Sequence, residues 1–157
     1  MALVYERQSD YPKALEHYQK ALDIYIPSVG EQHMSVGQTF KNMAVVYMQQ
    51  GDCPKALEHY QKALDIFIPS VGEQHMSVGR AFNNMALVYE RQSDYPKALE
   101  HYQKALDIYI PSVGEQHMSV GQTFNNMAIV YAQQGDYPKA LEYFQNCLLY
   151  TSDAADE

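Results

Sequence analysis

Residues 35–76 read SVGQTFKNMAVVYMQQGDCPKALEHYQKALDIFIPSVGEQHM, and the spacing of apolar residues within them decides the fold. Val36, Phe40, Met43, Ala44 and Tyr47 recur on one helix face; Ala56, Leu57, Tyr60, Ala63, Leu64 and Phe67 do so again after a break at Gly51-Asp52. Two amphipathic helices joined by a tight turn are predicted. Ser35 with Gln38 three residues on fits a capping box at the start of the first helix. Ser119 with Gln122 fits it too, whereas Ser77 is followed by Arg80 and lacks the partner. Asp52 is placed to cap the second helix, and Pro54 falls in its first turn, where a missing N–H is harmless. Pro69 and Gly72 predict that the second helix stops or kinks there, with Gly72 as a left-handed cap.

The same pattern returns every 42 residues: Ala14, Ala56, Ala98 and Ala140 coincide, as do Tyr5, Tyr47, Tyr89 and Tyr131. A unit that cannot bury its apolar face alone must stack on its neighbours. The expected fold is therefore all-α: an α-solenoid of antiparallel helix pairs stacked into a right-handed superhelix. Its units are a partial one over 1–34, full ones over 35–76 and 77–118, and a partial one over 119–146. Residues 1–40 are identical to residues 85–124, so sameness between copies says little about which residues matter. Beyond Gln145 the register fails. Residues 147–157, CLLYTSDAADE, read as a non-native or disordered tail resembling translated library-adapter sequence. Met1 aligns with Met43 and Met85, inside a first helix, so the chain reads as an internal fragment. Its uncapped ends would expose Leu3, Val4, Leu141 and Phe144 and invite end-to-end self-association.

Composition narrows the function. Of 157 residues, 11 are Lys or Arg and 19 are Asp or Glu, a formal charge of −8 that repels a phosphate backbone and excludes nucleic acid as partner. No stretch approaches the roughly 20 apolar residues a membrane span needs, and no basic leader is seen; a cytoplasmic protein without membrane contact is expected. Cys53 and Cys147 occupy unrelated sites, which argues against a disulfide framework or a thiolate zinc site. His17, His59 and His101 are copies of one second-helix position, and His33, His75 and His117 of one loop position, where they read as hydrogen bonders at the helix start. No nucleophile elbow, P-loop or dinucleotide fingerprint occurs. No catalysis, metal or cofactor is expected. Among the 14 tyrosines, Tyr47 and Tyr60 fall on apolar faces and read as core rather than as a base-stacking platform.

What remains is the solvent face of the first helices, which would line the concave side of such a stack. Packing positions barely change between copies, whereas Gln38, Arg80 and Gln122 replace one another, as do Lys41, Asn83 and Asn125, or Gln49, Arg91 and Gln133. First helices carry Arg7, Lys41, Arg80 and Arg91 against Glu6 and Glu90, a locally basic lining in an acidic chain. Such a lining attracts an extended acidic peptide. Asn42, Asn84 and Asn126 recur one unit apart and offer both a donor and an acceptor to a peptide backbone.

Phe40-x2-Met43-Ala44-x2-Tyr47 followed by Ala56-x3-Tyr60 and Pro69 resembles the tetratricopeptide repeat. The longer loop through residues 70–76 and the run Asn83-Asn84-Met85-Ala86 resemble its kinesin-light-chain type. The resemblance implies a protein-interaction scaffold whose first-helix asparagines hold a partner's peptide. The peptide-binding set it suggests is Gln38, Lys41, Asn42, Val45, Gln49, Arg80, Asn83, Asn84, Leu87, Arg91, Gln122, Asn125 and Asn126. Chaperone-tail clamps of the family want Asn where this chain has Val45, Leu87 and Ile129, which excludes that ligand. Two alternatives stand beside the peptide receptor: an architectural, self-associating segment of a longer array, and the regulatory arm of a larger enzyme or signalling protein.

Overall fold

The computed structural model describes residues 10–152, with side chains through Cys147. Leu3, Val4, Glu6 and Arg7, and the acidic Asp153, Asp156 and Glu157, lie outside the described residues. Seven helices and no strand are found among those described. The chain divides into two compact units, residues 1–73 and 74–157. The first holds α1 (Tyr11–Val29), α2 (Met34–Gln50) and α3 (Cys53–Val71). The second holds α4 (Met76–Arg91), α5 (Tyr95–Val113), α6 (Met118–Gln133) and α7 (Tyr137–Ser152). The all-α repeat architecture stands as the periodicity predicts, and helix α7 runs on to Ser152.

Each turn inside a hairpin is closed by backbone geometry that its residues make cheap. Gly51 sits in the left-handed region at φ 81°, ψ 7°, and its N–H and that of Asp52 return to Met48 and Tyr47 carbonyls. In the second unit Ser93 occupies the same place at φ 59°, a conformation that costs a side-chain-bearing residue of the order of 1 kcal/mol. Asp52 and Asp94 then accept from the backbone N–H of Lys55 and Lys97 at 3.2 and 3.4 Å, the caps their position predicts. Pro54 and Pro96 fill the first turn behind them.

Two expectations are corrected. The first helices begin at Met34, Met76 and Met118, and the cap is the preceding histidine rather than the serine. Nδ1 of His33, His75 and His117 accepts the backbone N–H of Ser35, Ser77 and Ser119 at 3.1–3.2 Å, so Ser77 starts its helix as well as the others do. The loop histidines therefore act at the helix start, as read from their position. The second correction concerns Pro69: α3 neither stops at it nor ends in a left-handed cap, but continues to Val71. Pro69 stands two residues before that end and lacks only the N–H that would donate to the Asp65 carbonyl. Gly72 has φ 89° but ψ 159°, outside the left-handed helical well, and its N–H returns to the Ile68 carbonyl at 2.9 Å.

Packing rests on the small residues. Ala14, Tyr18, Leu22, Val36, Met43, Val46 and Ile66 form a core in the first unit. In the second, Ala86, Ala98, Tyr102, Ala105, Leu106, Tyr109, Val120, Met127 and Val130 do so. Helix α2 crosses α3 so closely that a methyl on Gly37 would stand 2.7 Å from the Phe67 ring; Gly79 of α4 meets the Tyr109 ring of α5 at the same distance. These helix-interior glycines are required by close approach.

Candidate functional site

In each first helix, five positions at spacing i, i+3, i+4, i+7 and i+11 share one stripe away from the core. On α2 they are Gln38, Lys41, Asn42, Val45 and Gln49. Gln38 and Gln49 are exposed and the rest half-buried, and Gln38 donates to Asn42 Oδ1 at 3.2 Å. The stripe of α4 carries Arg80, Asn83, Asn84, Leu87 and Arg91, with both arginines exposed and the middle three half-buried. On α6 it carries Gln122, exposed, then Asn125 and Asn126, half-buried, with the exposed Ile129 and Gln133 completing it. The structure thus brings the predicted residues of α4 and α6 onto neighbouring helices of one unit.

Not all of them are equivalent. Asn83 Oδ1 accepts from the buried Thr123 hydroxyl at 3.3 Å and ties α4 to α6, whereas Asn84 is half-buried on the same stripe. Sequence reasoning missed Glu90. Its Oε2 accepts the Tyr102 hydroxyl at 3.0 Å and its Oε1 accepts from Gln133 Nε2 at 3.4 Å, so one carboxylate joins α4, α5 and α6. That contact spans helices; the only sequence signal for it was that Met48, Glu90 and Ala132 differ at one register position. Burial and the neighbouring Glu90 charge push the Tyr102 phenol far above its ordinary value, keeping it a donor. Burial pushes Tyr109 up to about 12, with the Arg80 guanidinium opposing the rise.

Two of the second-helix histidines belong to the core, and His17 is half-buried. His59 and His101 are 8% and 9% exposed, and Nδ1 of each lies 2.9 Å from the carbonyl of Lys55 or Lys97. The His59 ring packs on Tyr47 at 4.8 Å and edge-on to Phe40 at 6.0 Å; His101 repeats this with Tyr89 and Phe82. Burial depresses the pKa of both rings and holds them neutral. Tyr60 is fully buried and Tyr47 half-buried, as expected of core aromatics. No cluster of three metal-ligating side chains comes together among the described residues, and no helix among them is long and apolar enough to cross a membrane.

Helical hairpins in tandem, each showing a polar, asparagine-bearing stripe and carrying its apolar side inward, define a helical-repeat interaction scaffold. The tetratricopeptide repeat family profile matches residues 1–68, 35–110 and 77–148, and the chain belongs to that family. No curated protein sequence matches it. Among solved structures, BtubC (BKLC) from P. vanneervenii is similar at TM-score 0.89 and 27% identity over 99% of this chain, which spans 62% of that one. Nearly identical TPR-like repeats of a Podosopora anserina kinesin light chain candidate share the fold at TM-score 0.77 and 18% identity, over 98% of this chain and 72% of that one. Aspartyl phosphate phosphatase F from Bacillus subtilis shares it at TM-score 0.86 and 18% identity, over 98% and 39%. The repeats share their fold with that kinesin-light-chain candidate, and the role that goes with the tetratricopeptide repeat is that of a protein-interaction scaffold.

Proposed function

We propose that the first-helix stripes bind an extended acidic peptide segment of a partner protein, without chemistry, and that the chain works in the cytoplasm. The observation that carries this reading is the stripe of α4: exposed Arg80 and Arg91 stand at its two ends, with Asn84 and Leu87 between them. Guanidinium groups pair with carboxylates bidentately, while an asparagine amide can bond a peptide N–H and C=O together. Asn83, held by Thr123, fixes the neighbouring α6 stripe with Gln122, Asn125 and Asn126 against α4. Lys41, Asn42, Val45 and Gln49 offer a second such face on α2. Glu90 subtracts from the positive field, so exposed charge pairs alone should give affinity no tighter than about micromolar, weakened by salt.

Fluorescence anisotropy with an acidic peptide library tests this. Selected peptides should lose most of their binding to the Lys41→Glu, Arg80→Glu chain, and binding that is unchanged would remove the reading.

One observation favours a second reading, an architectural segment whose copies associate end to end. Ile24 and Tyr25 on α1 are 65% and 39% exposed, and Tyr137 and Leu141 on α7 are 66% and 61% exposed. Light scattering that shows oligomers growing with concentration supports it over a peptide receptor.

A further inference from the structure

The segment Pro-Ser-Val-Gly-Glu stands three times in the chain, at 27–31, 69–73 and 111–115. Of the nine serines, only Ser28, Ser70 and Ser112 have an acidic residue three positions on, the pattern that acidophilic protein kinases select. Ser70 and Ser112 are exposed and stand one residue before the last of α3 and α5. Each hydroxyl donates at 3.1 Å to a carbonyl 38 residues back, Ser70 to Gln32 and Ser112 to Gln74. The residues that follow those carbonyls are His33 and His75, whose Nδ1 atoms cap α2 and α4. One hydroxyl therefore holds the end of a second helix to the loop that starts the first helix before it. The last turn around it opens at low cost, since Pro69 and Pro111 lack an N–H and Gly72 and Gly114 already leave the helix at φ 89° and 85°.

We propose that Ser70 and Ser112 are phosphorylation sites of an acidophilic protein kinase, and that the phosphate frees the loop each hydroxyl holds. The serine Oγ attacks the γ-phosphorus of a nucleoside triphosphate. An Oγ–P bond forms, the bond from that phosphorus to the β–γ bridging oxygen breaks, and the nucleoside diphosphate leaves with the electron pair. The hydroxyl proton passes to the kinase's own carboxylate base. The product has no proton to give Gln32 or Gln74 and carries about −1.5 to −2 charges against a carbonyl oxygen. It also stands at the negative end of its helix, where the last turn holds no basic residue and Glu73 or Glu115 adds like charge. Ser28 has the same motif but donates to Ile24 of its own helix, so a phosphate there parts no two elements. The sites are on second helices and do not depend on what the first-helix stripes bind.

The test incubates the intact chain with a purified acidophilic casein kinase and magnesium ATP, maps the phosphates by mass spectrometry and follows melting by circular dichroism. Phosphate is expected on Ser70 and Ser112. Each should lower the melting temperature by about 2–4 °C, the shift that one lost hydrogen bond gives in a chain of this size. Glu73→Gln with Glu115→Gln keeps both hydroxyls and should remove most of their phosphorylation without moving the melt of the unmodified chain. In the Ser70→Ala, Ser112→Ala chain only the Ser28 motif is left, and kinase treatment should shift its melting by less than either linked serine does. No phosphate on Ser70 and Ser112, or equal phosphorylation of the Glu73→Gln, Glu115→Gln chain, overturns the sites. Phosphate that leaves melting unchanged, raises it, or acts as strongly through Ser28 overturns the release of the loop.

Discussion

Helices α1 and α5 repeat the same nineteen residues, yet Tyr25 is 39% exposed on one and Tyr109 3% on the other. Local sequence accounts for what the two share: the helix itself, its proline in the first turn, and the buried stripe of Ala14, Tyr18 and Leu22 or Ala98, Tyr102 and Leu106. Context accounts for the rest. The energetic weight of a side chain on a second helix is set by the first helix laid across it, as α4 lies across Tyr109, so identical residues in one chain need not be worth the same. The sharpest check is a pair of truncations. Tyr109→Ala should cost about 3–5 kcal/mol, through lost transfer energy and the cavity left under Gly79, and Tyr25→Ala less than about 1 kcal/mol. Urea denaturation of both variants reads the difference, and equal losses would break the comparison.

Glu90 makes a second, smaller contrast between the units, because the first unit has Met48 at that register position. Tyr102 is fully buried and donates to Glu90, so Glu90→Met leaves its hydroxyl without that acceptor at a cost of about 1–3 kcal/mol. Glu90→Gln keeps an acceptor and should recover most of the loss in the same denaturation experiment. If Glu90→Met were neutral, the carboxylate would be a groove charge and nothing more.

The fold was legible because its signals are local: alanine and tyrosine recurrence at helical spacing, an Asp-x-Pro start, a glycine in the turn. Half of the candidate site was legible too, since a polar stripe follows from the same spacing; Gln38, Arg80, Gln122 and their partners all fall where it puts them. What escaped was contact between elements far apart in sequence. Glu90 meets Tyr102 and Gln133 across two neighbouring helices, and a single sequence shows only that the position varies. Asn83 and Asn84 look interchangeable on paper, and only the crossing of α4 and α6 turns one inward to Thr123. Pro69 was misread as a helix end because a proline removes only its own N–H bond to the carbonyl four residues back, and the helix runs on past it to Val71.

A third contrast lies between hairpins that hold a buried histidine and the one that holds Tyr143 in its place, packed on Tyr131 at 5.1 Å and Phe124 at 5.9 Å. Burial depresses the folded pKa of His59 and His101, so the unfolded chain takes the proton first as pH falls. Their contribution is complete above the ordinary histidine pKa of about 6.5 and is lost below it, by at most about 1.4 kcal/mol per pH unit for each ring. Asp52 and Asp94, held low by hydrogen bonds from Lys55 and Lys97, lose their contribution only in the more acidic carboxylate range. Thermal melts at stepped pH should show the loss beginning near neutrality, and His59→Tyr with His101→Tyr should flatten that first step while leaving the acidic one.

The smallest effect separates two accounts of how the first helices begin. A serine–glutamine capping box would make Ser35→Ala costly and Ser77→Ala cheap, since only Ser35 has a glutamine three residues on. Instead Gln38 is turned toward Asn42, and the backbone N–H of both serines goes to a histidine Nδ1. Both alanine variants should therefore stay within about 0.5 kcal/mol of the parent and of each other, as surface changes do. His33→Ala and His75→Ala should each cost about 1 kcal/mol, the usual worth of a side-chain cap. Differential unfolding of the four variants under identical conditions is sensitive enough, because the quantity compared is a pattern across copies. A serine gap with no histidine gap would return the cap to Ser35 and leave Ser77 unexplained.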